Sequence, residues 1–183
     1  MKFTQRLLGH TKTIARHRRE VRKLMALCGL NGRRHDLSKY SPIEFWNGVK
    51  YYTGTSSPHV GERKVKGYSD AWLHHKSRNR HHSEYWIDII NGDATPIDMP
   101  PVYFVEMLCD RIAASKVYLG ADFSPNAPLM YYLTHRDENI MSENTRNLLY
   151  VALVRYSRLP EWMFFNWIKE MLADPYRFYE HAN

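Results

Sequence analysis

The chain has 183 residues, 44% of them hydrophobic and 14% aromatic, which suits one domain with an apolar core and lies well outside the composition of disordered segments. Its net charge of +7 is unevenly spread: residues 1–80 hold 18 Lys and Arg against 5 Asp and Glu, residues 81–183 hold 8 against 14. The longest apolar runs fall far short of a bilayer span, and the start, MKFTQRLLGHTK, has neither an apolar h-region nor a small-residue cleavage site, so the expectation is a cytoplasmic chain with no membrane partner. Cys28 and Cys109, both inside apolar helical patterns, read as buried thiols in a reducing compartment. The basic first half implies an electropositive face that draws anions, whether nucleotides, nucleic acid or other phosphates.

Residues 4–28 place Leu7, Ile14, Val21, Leu24, Met25 and Cys28 at helical spacings, with Gly29 and Gly32 as the stop. Ser41-Pro42-Ile43-Glu44 starts a second helix, Ser41 as cap, Pro42 at the first position and Glu44 closing a capping box; it runs to about Tyr52. Residues 53–67 read as a polar loop long enough for a lid. A helical stretch runs from Ser69 through Asn91, with a break near Asn79. Pro100-Pro101 opens a helix ending at Gly120, and three more follow at about 128–134, 142–157 and 160–173. No strand alternation of useful length stands out. The expectation is one all-α domain over 1–183 of about seven helices, with residues 5–120 as the site-bearing core and 121–183 closing it; Trp162, Phe164, Phe165 and Trp167 either seal that core or meet a second copy in a dimer.

Eight of the ten histidines fall between His10 and His82. Three segments stand out: His17 in HRREV, His35-Asp36 in HDLSK, and His74, His75, His81 and His82 in AWLHHKSRNRHHSEYW. Imidazole and carboxylate donors together suit one or two divalent transition metals (Mn, Fe, Zn, Co or Ni). On a continuous helix Trp72, His75, Asn79, His82, Trp86 and Ile90 form one seam, apolar at both ends and polar in the middle, and His74, Arg78, His81 and Tyr85 form its neighbour. Either histidine pair, or one member of each, supplies ligands. Asp110 sits within the apolar pattern Val105, Leu108, Cys109, Ile112, Val117, where a carboxylate needs a metal or an ion-pair partner from another helix.

His17, then His35-Asp36 followed by Leu37-Ser38-Lys39, then Asp110, resemble the H…HD…D signature of HD-domain metalloproteins, with Ser38 where glycine is frequent. HDLSKYSPIEF, GYSDAWLHHKSRNRHHSEYW and MPPVYFVEMLCDRIAASKVYLG are more closely similar to an uncharacterised HD-like family of small bacterial and phage proteins, over roughly residues 5–135. The resemblance implies that His17, His35, Asp36 and Asp110 hold a first metal, that Asp36 bridges to a second, and that the extra histidines act as in two-metal HD phosphodiesterases and HD di-iron oxygenases, although the pairs lie closer together here. His10, seven residues before His17 and on the same helical face, is expected at the surface or behind a ligand, with an outer-ligand role as the alternative.

The function expected from this is metal-dependent hydrolysis of a phosphate ester, a nucleotide by analogy. Asp36 would hold the metal that activates water, Lys39 would face the phosphate, Arg78 and Arg80 would clamp it, and Glu84 would orient a ligand histidine. Two other readings stand beside it: a di-iron oxygenase of the HD type, and a non-enzymatic nucleic-acid or protein-binding module using the basic helix 12–23 with Tyr51, Tyr52 and Tyr68.

Overall fold

The computed structural model describes residues 1–136 and 140–182. Helix α1 (Phe3–Leu27) turns His10, Ile14, His17, Val21, Leu24 and Met25 inward, a three-and-four spacing that buries one stripe and leaves the basic residues outside. It ends where Gly29 takes a positive φ of 77° and the Leu30 N–H donates to the Met25 carbonyl, a left-handed helix stop. A short 3-10 turn, Leu37–Tyr40, leads to α2 (Pro42–Tyr51). The capping box expected there does not form. The Ser41 side chain makes no cap bond, and Glu44 is buried instead, because two imidazoles claim its carboxylate.

Two glycines let α2 approach α1. A Cβ on Gly9 would stand 2.4 Å from the Tyr52 ring, and one on Gly48 would stand 2.1 Å from His10 Nε2. The Tyr52 hydroxyl then lies 3.0 Å from Thr13 Oγ1, closing the contact.

The stretch read as a polar loop contains a helix, α3 (Pro58–Lys66), stopped by Gly67 at φ 81°. Its organiser is Glu62, fully buried, which accepts from Lys66 Nζ (2.8 Å) and from Ser69 Oγ (2.6 Å). That tertiary anchor is invisible to local pattern. Ser69 caps α4 (Asp70–Lys76) by accepting from the Trp72 N–H.

The long helix expected to reach Asn91 ends at Lys76. Ser77 Oγ donates to the His74 carbonyl and Asn79 Nδ2 to the His75 carbonyl, side chains displacing the next helical turn. A 3-10 turn (Ser83–Tyr85) precedes an antiparallel hairpin, β1 (Ile87–Ile90) and β2 (Asp93–Pro96), in register Ile87–Pro96 to Ile90–Asp93. Asn91 and Gly92 both have positive φ, the two-residue hairpin turn that Asn-Gly favours; this signal outweighs the helical spacing around it.

Helix α5 (Pro101–Leu119) runs through the centre, burying Phe104, Val105, Met107, Leu108, Cys109, Ile112 and Ala113. Helices α6 (Ala127–His135), α7 (Glu143–Arg158) and α8 (Glu161–Ala173) follow, with a terminal 3-10 segment Phe178–Ala182. One apolar core joins α1, α5, α7 and α8, and Phe164 and Phe165 are inside it while Trp162 stays exposed. Cys28 and Cys109 are buried free thiols. Among the described residues there are eight α-helices and one small hairpin, and no helix is long and apolar enough to cross a membrane. The chain is an all-α single domain in which α1 and α5 pack together, with α2–α4 on the α1 side, α6 and α7 on the α5 side, and α8 against both.

Candidate metal centre

Five segments converge at one place. His17 comes from α1, one turn after Ile14 on the buried stripe. His35 and Asp36 come from the bend before the 3-10 turn, where Asp36 adopts a left-handed φ of 53° that aspartate tolerates better than most side chains. The bend is pinned by Arg18, which donates to the carbonyls of His35 (2.9 Å) and Arg33 (3.0 Å). Both adjacent side chains are thereby buried, His35 at 2% exposure and Asp36 at 1%. His75 comes from α4, His81 and His82 from the segment after it, and Asp110 from α5.

Asp36 is the hinge of the arrangement. Its Oδ2 lies 3.6 Å from His17 Nε2 and 3.4 Å from His35 Nε2, and Asp110 Oδ1 closes that group at 2.8 Å from His17 Nε2 and 3.4 Å from His35 Nε2. Its Oδ1 lies 3.3 Å from His75 Nε2 and 3.4 Å from His81 Nε2, with His82 completing a second group. Within each group the donor atoms stand within 4.8 Å of one another. Donors held at about 2.1 Å around one ion stand about 3.0–3.4 Å apart, so most of these separations match a shared ligand polyhedron. The residues fit a metal on a second count. Neither Asp36 oxygen accepts a hydrogen bond of good geometry, although Lys39 Nζ stands 2.6 Å from Oδ2, and the buried Nε2 atoms of His81 and His82 have no hydrogen-bond partner.

The protonation states follow from burial set against charge. Burial would raise the Asp36 carboxyl, but the charges of His35, Lys39 and His75 hold it well below the carboxylate range. Burial would raise Asp110 too; hydrogen bonds from His17 and His35 hold it well down. Burial, reinforced by the His81 and His75 charges, pushes His82 well below the usual histidine value. His17 is lowered by burial despite its contact with Asp110. Burial thus holds His82 and His17 toward the neutral form that ligates metals, whereas Asp36 raises His35 and His75 against their burial.

Two carboxylates not singled out by sequence stand behind the imidazoles. Glu106 Oε1 accepts from His35 Nδ1 at 2.9 Å and lies 3.2 Å from His81 Nδ1. Glu44 lies 2.5 Å from His74 Nδ1 and 2.7 Å from His75 Nδ1. His74 is thereby drawn away from both groups of donors. The readable signal for Glu106 was its place one turn before Asp110; Glu44 looked like a capping residue.

A cavity of about 730 Å³ opens onto the donors, with His17, Lys39, His75, His81, His82 and Asp110 in its lining. Glu84 and His10 also line it. His10 is buried rather than exposed, lowered to about 4 by its burial and the Lys39 charge, and it belongs to neither donor group. Arg78 and Arg80 do not reach the cavity: both are exposed, Arg78 donating to Ser77 Oγ and Arg80 to the Tyr103 hydroxyl while lying over the Tyr85 and Tyr103 rings. The guanidinium groups on the wall are Arg63, which lies over Trp72, and Arg111.

Fold and site together define an all-α domain whose buried histidine and aspartate clusters have the donor set to hold a metal ion. Residues 6–154 match a family of unknown function, DUF5662, and the chain belongs to that family. No curated protein and no solved structure matches it.

Proposed function

We propose that this domain is a metal-dependent phosphohydrolase or phosphodiesterase of the HD type, holding two divalent transition-metal ions across Asp36 and acting on a small phosphate ester. The observation that carries the reading is the division of Asp36, whose two carboxylate oxygens face separate imidazole groups. His17, His35, Asp36 and Asp110 would hold one ion; Asp36, His75, His81 and His82 the other. The ions would supply Lewis acidity toward water and a phosphoryl oxygen.

The chain's own residues do the rest. Lys39, held protonated by Asp36, places a cation beside the donors where an anionic substrate arrives. Arg63 and Arg111 on the cavity wall supply planar donors for phosphate oxygens, in place of Arg78 and Arg80, which do not line the cavity. Trp72 and Tyr118 line the same cavity and limit water beside the ester. A nucleotide fits the cavity volume and the cationic wall, and the nucleotide assignment rests on the HD analogy.

Protein purified without chelator should carry bound transition metal and release phosphate or a phosphomonoester from a panel of phosphate esters. Oxygen uptake with iron bound, and no phosphate release, would instead mark an HD-type di-iron oxygenase, which uses nearly the same donors.

A second reading has its own observation. Lys12, Arg16, Arg19 and Lys23 form an exposed stripe at helical spacing on the side of α1 away from His17, and Arg33 and Arg34 are exposed nearby. Among the described residues, none of Lys12, Arg16, Arg19, Arg33 and Arg34 has a carboxylate within 4.0 Å. Such a face suits nucleic acid, and binding that weakens steeply with added salt would reveal it.

A further inference from the structure

We propose that Glu106 is a positioning residue that locks the two ion subsites into one unit, whereas Glu44 serves only one of them. The inference rests on the two-ion reading above.

A ligand imidazole offers one nitrogen to the ion and must place the N–H of the other. The group that takes that N–H sets the tautomer, fixes the ring's rotation and raises the basicity of the coordinating nitrogen. For His35 and His81 that group is the same oxygen. Glu106 Oε1 stands 2.9 Å from His35 Nδ1 and 3.2 Å from His81 Nδ1, and the two rings lie with centroids 4.5 Å apart, tilted by 39°. Their far nitrogens diverge onto opposite sides of Asp36: His35 Nε2 faces Oδ2 and His81 Nε2 faces Oδ1, each at 3.4 Å. One carboxylate oxygen behind, and one carboxylate in front, thus frame a ring from each subsite.

Glu44 works differently. Its Oε2 takes His75 Nδ1 at 2.7 Å, and His75 Nε2 faces only Asp36 Oδ1, at 3.3 Å. Its other oxygen goes to His74, which joins neither group of donors. Glu44 therefore reaches one side of Asp36.

The placement of Glu106 follows from α5. It lies four residues before Asp110, one helical turn away on the same face, so one helix delivers both a ligand and the residue that orients two others. Val105, Met107, Leu108, Cys109 and Ile112, all buried at 3% exposure or less, fix the rotation of that helix and hence the position of Oε1. His35, His81 and Glu106 also form a third group of potential donors. An ion there would take the Nδ1 atoms that already face Glu106 and displace their N–H contacts to it, whereas the two larger groups use the Nε2 atoms of the same rings, beside Asp36.

The test is a cobalt(II) titration of the full chain after stripping with chelator, followed by calorimetry and by visible absorption, for the wild type, E106Q and E44Q. The wild type should bind two ions. E106Q should weaken both sites by about 10–100-fold and alter the absorption of both. E44Q should weaken one site and leave the other at wild-type affinity. A purely structural role for Glu106 would lower the thermal midpoint of the stripped protein without this two-site signature. Should E106Q not fold, E106D keeps the charge, shortens the reach and carries the same expectation. Retention of either site at wild-type affinity in the Glu106 variant, or equal weakening of both sites in E44Q, would overturn the proposal. A wild type that binds fewer than two ions would overturn the two-ion reading itself, and that result is read before any variant.

Discussion

Gly48→Ala tests whether the cavity wall is built by close approach of α1 and α2. The added methyl would stand 2.1 Å from His10 Nε2 and 2.3 Å from Cε1, so the ring must retreat by about 1.3 Å to reach an ordinary 3.4 Å contact. His10 is held between Phe45 and Tyr52, with ring centroids 5.6 and 5.9 Å away, which leaves retreat only toward the cavity. Overpacking of this kind costs about 1–3 kcal/mol, while alanine in place of a helical glycine returns about 1 kcal/mol. The net expectation is a loss of about 0–2 kcal/mol, or a fall in thermal midpoint of up to about 8 °C for a chain of this size. The assay is a double-mutant cycle with His10→Ala, followed by chemical and thermal unfolding. Removing the ring should relieve the clash, so the double variant should exceed the additive expectation by about 1 kcal/mol or more. An additive cycle would refute the packing argument.

Three further outcomes follow from the site and its supports. Asp36→Asn should abolish binding of both ions at micromolar metal, measured by elemental analysis after gel filtration, because the bridging charge serves both imidazole groups; one ion retained at full occupancy would show that Asp36 serves a single subsite. Burial would raise the Glu62 carboxyl, but Lys66 and Ser69 hold it down at about 2, below its ordinary 4.5, so its contribution to stability is complete above about pH 5 and fades as the pH falls from there toward 2. Glu62→Gln should therefore cost about 1–3 kcal/mol at pH 7 and flatten the wild type's decline between pH 5 and 2, as read from urea midpoints; parallel curves would contradict this. Arg63→Ala should raise KM for a phosphate ester by about tenfold, whereas Arg80→Ala should change it less than about twofold, since Arg63 lines the cavity and Arg80 does not; the reverse ranking would return the clamp to the outer surface.

What sequence alone determined is the part that depends on local periodicity and on chemistry that burial cannot leave unpartnered. The inward stripe of α1, the apolar pattern of α5, the three C-terminal helices and the family of unknown function were all legible. So was the isolated carboxylate Asp110, which lies 2.8 Å from His17, 93 positions earlier in the chain. Tertiary structure decided what hydrogen bonds between distant segments control. Glu62 converts a polar loop into α3, and Asn79 ends α4 so that His81 rather than a continuous helical seam faces Asp36. Two histidines claim Glu44 from its capping role, and Arg78 and Arg80 turn outward while Arg63 turns to the cavity. Spacing records which face of an element a side chain occupies. Which partner satisfies a buried polar group depends on segments tens of residues away, and only the folded chain brings them within a few ångströms.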